Sequence, residues 1–110
     1  MDYNPLKENR RSRRILASVP LEVRVGEDTC IVLSAVINLN GALILSPKNW
    51  SPQTVLHVTN RHTEAETDAR VVWSGSRTEA GTYKLGVEFQ AAAPEFWGDD
   101  YDEHGGEEAP

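Results

Sequence analysis

The sequence predicts a small all-β domain, a barrel or a sandwich. Three observations carry that reading. Short stretches alternate apolar and polar residues with a period of two, the mark of half-buried strands. Gly, Asn, Asp and Pro punctuate them at regular intervals. No stretch between them is long enough for a substantial helix. The chain has 110 residues, the size of a single domain with one core.

Taken in order, Met1 to Asn9 is polar, contains Pro5 and shows no period, which predicts a mobile arm. The run Arg10-Arg11-Ser12-Arg13-Arg14 follows, and Ile15 to Ser18 reads as a connection. Val19 to Val25 alternates, with Val19, Leu21, Val23 and Val25 facing one way and Glu22 and Arg24 the other. Pro20 places it at a strand start or an edge. Gly26-Glu27-Asp28 is a turn. Thr29 to Ile37 is rich in β-branched residues and is a second strand. Asn38-Leu39-Asn40-Gly41 is a hairpin turn, since Asn and Gly tolerate left-handed φ, and Ala42 to Leu45 is the returning strand.

Ser46 to Pro52 holds two prolines and is irregular. Thr54 to Thr59 is a strand, ended by Asn60-Arg61-His62. Ala65 to Trp73 is another. Ser74 to Gly81, with two glycines, is expected to be a turn. Thr82 to Phe89 alternates again, with Tyr83, Leu85, Val87 and Phe89 inward. That makes six strands, and closure into a barrel would remove aggregation-prone edges. Ala91 to Trp97 has room for one helical turn, with Phe96 and Trp97 on the barrel rim. Beyond Gly98 the chain is acidic and nearly free of hydrophobes, which predicts disorder.

Charge narrows the function. The net charge of −6 argues against a general nucleic-acid or anionic-membrane binder. It is unevenly spread. Lys7, Arg10, Arg11, Arg13, Arg14 and Arg24 stand against three acids in the first 25 residues, whereas Glu95, Asp99, Asp100, Asp102, Glu103, Glu107 and Glu108 close the chain with no Lys or Arg. The arginine run is therefore either a solvated arm or half of an anion site. Arg suits the second, because its planar fork matches phosphate oxygens and a guanine edge and stacks on bases. The opposite charge of the tail makes it a candidate to lie over the arm.

Cys30 is the only cysteine, which excludes an internal disulfide and a Cys-based zinc site and suits a reducing cytosol. Neither a membrane span nor a secretory signal is legible, so a cytoplasmic location is expected. No nucleophile–base pair, metal-ligand spacing or phosphate-cradling Gly loop stands out, so the chain is not read as an enzyme. Arg70 reads as an outward strand charge ahead of a ligand-facing barrel residue, His57 and His62 as surface histidines, and Cys30 as a small buried hydrophobe. Trp73, Phe89, Phe96 and Trp97 read as core and rim packing. Trp50, among Ser and Pro, is a candidate exposed partner contact.

The order of motifs is more specific. Arg10-xxx-Arg14 precedes Val-Pro-Leu-x-Val-x-Val at 19–25. Gly-Ala-Leu-Ile at 41–44, Arg-Val-Val-Trp at 70–73 and Gly-Val-Glu-Phe at 86–89 follow. This order resembles a PilZ domain, the bacterial receptor module for cyclic di-GMP, over Arg10 to Phe89. It is most similar to variants ending in Phe-Trp-Gly, here Phe96-Trp97-Gly98. The resemblance implies a six-stranded antiparallel β-barrel over 19–98, between a mobile basic arm at 1–18 and a disordered acidic tail at 99–110. It also implies a non-catalytic receptor that needs no cofactor or metal.

By that resemblance Arg10 and Arg14, with Arg13 as a substitute, grip the ligand's phosphates and guanine faces. A second motif, Asp/Asn-x-Ser-x-x-Gly, holds a guanine edge. Aligned on Gly41 it places Asn38 at the Ser position and Val36 at the Asp/Asn position. Asn38 keeps hydrogen-bonding capacity, and Val36 lacks it. An unpaired buried polar group costs ~1–3 kcal/mol. A two-residue shift would put Asn38 and Asn40 on the two polar positions, but only with a shorter turn. Two functions follow: a cyclic di-GMP receptor whose arm orders on binding, or a degenerate PilZ-like module that contacts a protein of motility or polysaccharide export without nucleotide.

Overall fold

The computed structural model describes residues 14–90, 94–98 and 107–108. Eight strands and one helical turn run β1(Ile15–Leu16), β2(Pro20–Val25), β3(Asp28–Asn38), β4(Gly41–Ser46), β5(Val55–Asn60), β6(Ala65–Arg77), β7(Tyr83–Phe89), α1(Pro94–Trp97) and β8(Glu107–Glu108). The order β2-β5-β6-β7-β4-β3 closes on itself through β2–β3, giving a six-stranded antiparallel barrel. β1 extends the sheet along the second half of β3, and β8 pairs with β1.

The alternation places the core as expected. Leu21, Val23, Val32, Ile44, Leu56, Val58, Val71, Leu85 and Val87 are buried inside the barrel. Compact, mostly branched side chains suit the narrow lumen of so small a barrel. One end is stoppered by α1. Phe96 and Trp97 are buried there and meet Phe89 with ring centroids 5.1 and 5.8 Å away. The Phe96 carbonyl accepts bonds from Asn60 Nδ2 (2.8 Å) and Thr63 Oγ1 (2.9 Å). A four-residue helix has no intrinsic stability. These contacts are what fix it.

Four expectations need correction. Ile15–Leu16 is a strand, not a connection: Ile15 is buried and its backbone pairs with Ile37, a segment too short to show a period. Ser74–Gly81 is not all turn. β6 runs on to Arg77, because β7 supplies its ladder partners through Ser74↔Leu85 and Arg77↔Tyr83 with two register shifts. Gly75 marks a close approach instead, since a Cβ there would lie 2.7 Å from the Trp73 ring. Trp73 itself is 40% exposed on the barrel's outer face, opposite Gly86, rather than core. Trp50 is half-buried and packed against the core rather than exposed.

The expected mobile arm lies outside the described residues up to Arg13, and so does the expected disordered tail, apart from Glu107–Glu108.

Candidate functional site

The stoppered end of the barrel carries the β3–β4 hairpin. Asn38 ends β3 and is fully buried. Its Oδ1 accepts the Asn40 N–H (2.9 Å), and its carbonyl accepts the Trp97 indole N–H (2.8 Å). The side chain thus imitates a backbone turn, as Asn does well. Neither Leu39 nor Asn40 adopts positive φ, so left-handed tolerance is not what the turn uses. Gly41 is required for another reason. A Cβ there would lie 2.1 Å from the Val87 carbonyl oxygen on β7, and the Asn40 carbonyl next to it accepts the Phe89 N–H (2.8 Å). The hairpin is therefore pinned on one side by the stopper and on the other by β7.

Register brings the arm to this hairpin. Ile15 lies opposite Ile37 and Leu16 opposite Val36. Continued by one residue, the pairing sets half-buried Arg14 beside Asn38. Across the barrel wall Asn38 pairs with Gly41, Gly41 with Glu88 and Glu88 with Arg70. The neighbouring row is Leu16, Val36, Leu43, Gly86 and Trp73. Adjacent strands lie about 4.8 Å apart, so Arg70 and Trp73 stand roughly 15 Å from Asn38 and Val36. The polar row thus ends in Arg70 with Glu88 beside it, and the apolar row ends in the exposed Trp73 indole.

Of the residues expected to bind, the structure groups Arg14, Asn38 and Gly41. Arg10 and Arg13 lie outside the described residues. Sequence reasoning favoured core packing for Trp73 over a stacking platform, and an outward charge for Arg70 over a ligand-facing one. Arg70 is indeed exposed, and it shares the row of Asn38. The signal was the bulge at Val72, which the sequence does not announce: it turns Trp73 outward after inward Val71.

The remaining polar groups lie elsewhere. His57, on the outer face of β5, bonds Glu66 through Nε2 (2.7 Å) and Asp68 through Nδ1 (2.9 Å). The bonds to Glu66 and then Asp68 hold its pKa above the ordinary 6.5, against partial burial and the Arg24 charge. The raised pKa stabilises the fold fully below about pH 6.5, and that gain fades as pH rises through the folded value. Thermal melts of the wild type and His57→Gln should therefore differ most in mild acid and converge toward alkaline pH. The expected effect is below about 1 kcal/mol. Cys30 is half-buried, and burial raises its thiol pKa. Among the described residues no cluster of His, Cys, Asp and Glu is placed to hold a metal, and no helix is long and apolar enough to cross a membrane.

Solved structures with the same fold include the Bacillus subtilis inhibitor of motility MotI/DgrA. It is 19% identical with a TM-score of 0.63, over 77% of this chain and 44% of that one. This chain thus spans less than half of that protein. The PilZ domain of Escherichia coli YcgR, solved with c-di-GMP, is 16% identical with a TM-score of 0.57, over 77% of this chain and 80% of that one. Among curated proteins none matches the sequence. The PilZ domain family model matches residues 8–95, from the arginine arm through the barrel to the start of the stopper. The chain belongs to the PilZ domain family.

Proposed function

We propose that this chain is a non-catalytic, cytoplasmic receptor for cyclic di-GMP, in which Arg10 and Arg14, with Arg13 in reserve, clamp the ligand against the Asn38–Gly41 hairpin. The supporting observation is the β1–β3 register, Ile15 opposite Ile37 and Leu16 opposite Val36, which continued by one residue brings Arg14 to Asn38. Arg70 and Trp73 widen this surface along the barrel wall. The arm ahead of β1 orders on binding, and that ordering is the output. Val36, half-buried between Leu16 and Leu43, offers no hydrogen bond to a guanine edge, so contact at that position is apolar. Calorimetric titration with cyclic di-GMP tests the reading. Binding by the wild type, weakened by about tenfold or more in Arg14→Ala, is expected for loss of a charge-assisted bidentate contact. Absence of binding by the wild type would overturn it.

A second reading has its own support. Leu16, Ile31 and Leu33 are more than 40% exposed on the outer face, and Val36 stands where the family motif has a polar residue. An apolar wall of this kind suits a protein partner, in motility or polysaccharide regulation. On this reading a partner is retained equally with and without nucleotide.

A further inference from the structure

Strand β7 turns Lys84, Gly86 and Glu88 to the outside of the barrel, since Leu85, Val87 and Phe89 face inward. A cation and an anion thus stand on one strand, each about 7 Å from a residue without a side chain. Lys84 is exposed, and among the described residues it forms no ion pair. Glu88 is half-buried, with Arg70 opposite it on β6. Gly86 is the floor between Leu43 of β4 and Trp73 of β6, and Leu45 lies beside Lys84. Leu43 and Leu45 are half-buried, and Trp73 is exposed. The face is therefore an apolar centre with opposite charges at its two ends.

We propose that this face binds a second copy of the chain about a two-fold axis that crosses β7 at Gly86, with the two β7 strands antiparallel across the interface. In that arrangement Lys84 of each copy meets Glu88 of the other. Gly86 meets Gly86, which opens a gap for the adjacent indoles. A two-fold interface must be self-complementary: where residue i meets j, j meets i. Opposite charges spaced evenly about a glycine satisfy that condition, which a foreign partner does not impose. The occupant is therefore a copy of this chain rather than another protein. One strand and its flanks make a small interface, so the association is weak and transient. The proposal does not rest on nucleotide binding, although the face shares Arg70 and Trp73 with the surface assigned above to the ligand.

Sedimentation equilibrium of the full chain, without nucleotide, tests it. The mass should rise from one chain toward two with a Kd of about 10–100 μM. Lys84→Glu should weaken self-association by about tenfold or more, because like charges then face each other twice. Glu88→Lys should do the same. The decisive sample is an equal mixture of the two variants. Each facing pair in the mixed dimer is again one Glu and one Lys, so association should return to within about threefold of the wild type. Thermal melts check that each variant is folded. If Glu88→Lys does not fold beside Arg70, the exposed Lys84 decides alone: Lys84→Glu must weaken association more than Lys84→Gln. A wild type that stays monomeric up to about 1 mM overturns the proposal. So does a dimer that Lys84→Glu leaves unchanged, or a mixture that associates no better than its parts.

Discussion

Replacing Trp97 with alanine should cost about 3–5 kcal/mol of stability, the range for removing a buried large aromatic side chain. Trp97 has no exposed surface, stacks on Phe89 and meets Phe96 edge-on at 4.9 Å. Alanine would leave a hole in the stopper and strip the Asn38 carbonyl of its indole donor. Urea unfolding should report the loss as a lower midpoint with an unchanged slope. A loss under about 1 kcal/mol would mean that α1 merely rests on the rim. Trp97→Phe separates the two contributions: it keeps most ring contact and loses the hydrogen bond, at about 1–3 kcal/mol. Because that bond ends on Asn38, both variants should also weaken ligand binding more than their stability alone predicts.

The fold was legible because a barrel is written in its alternation. Val19 to Val25 and Thr82 to Phe89 each show which face is inward without any tertiary information, and the structure buries those faces except at Val25 and Tyr83, which are half-buried. Three of the four failures share one cause. β1, the far half of β6 and the outward turn of Trp73 depend on ladder partners in another strand, such as Ile37 and Tyr83, which local composition does not show. Local composition read Ser74–Gly81 as a turn because Gly and Ser are poor strand formers. The β7 ladder outweighs that preference, as tertiary context often does in strands. The site was legible in part. The β1–β3 register runs toward Asn38, which pairs with Gly41, yet the reason for the turn was misread. Asn38 acts through its side-chain oxygen, and Gly41 through what lies next to it.

That distinction gives Gly41→Ala the second large effect. By motif alone Gly41 belongs to the ligand, and its replacement would be expected to lower affinity in a stable protein. The geometry predicts otherwise. A methyl group 2.1 Å from the Val87 carbonyl oxygen cannot be accommodated by a rotamer change, because the obstacle is backbone. Strand β4 would have to move away from β7 at the Ala42↔Val87 pair, which lies in the core. Overpacking of this kind costs about 3 kcal/mol, at the upper end of its usual range. Arg14→Ala provides the contrast, since it shortens a half-buried side chain without forcing any backbone apart and should cost less stability than Gly41→Ala. Measured side by side, Gly41→Ala should lose stability and ligand together and Arg14→Ala chiefly ligand. A Gly41→Ala protein that melts like the wild type but no longer binds would return Gly41 to the ligand and refute the packing account.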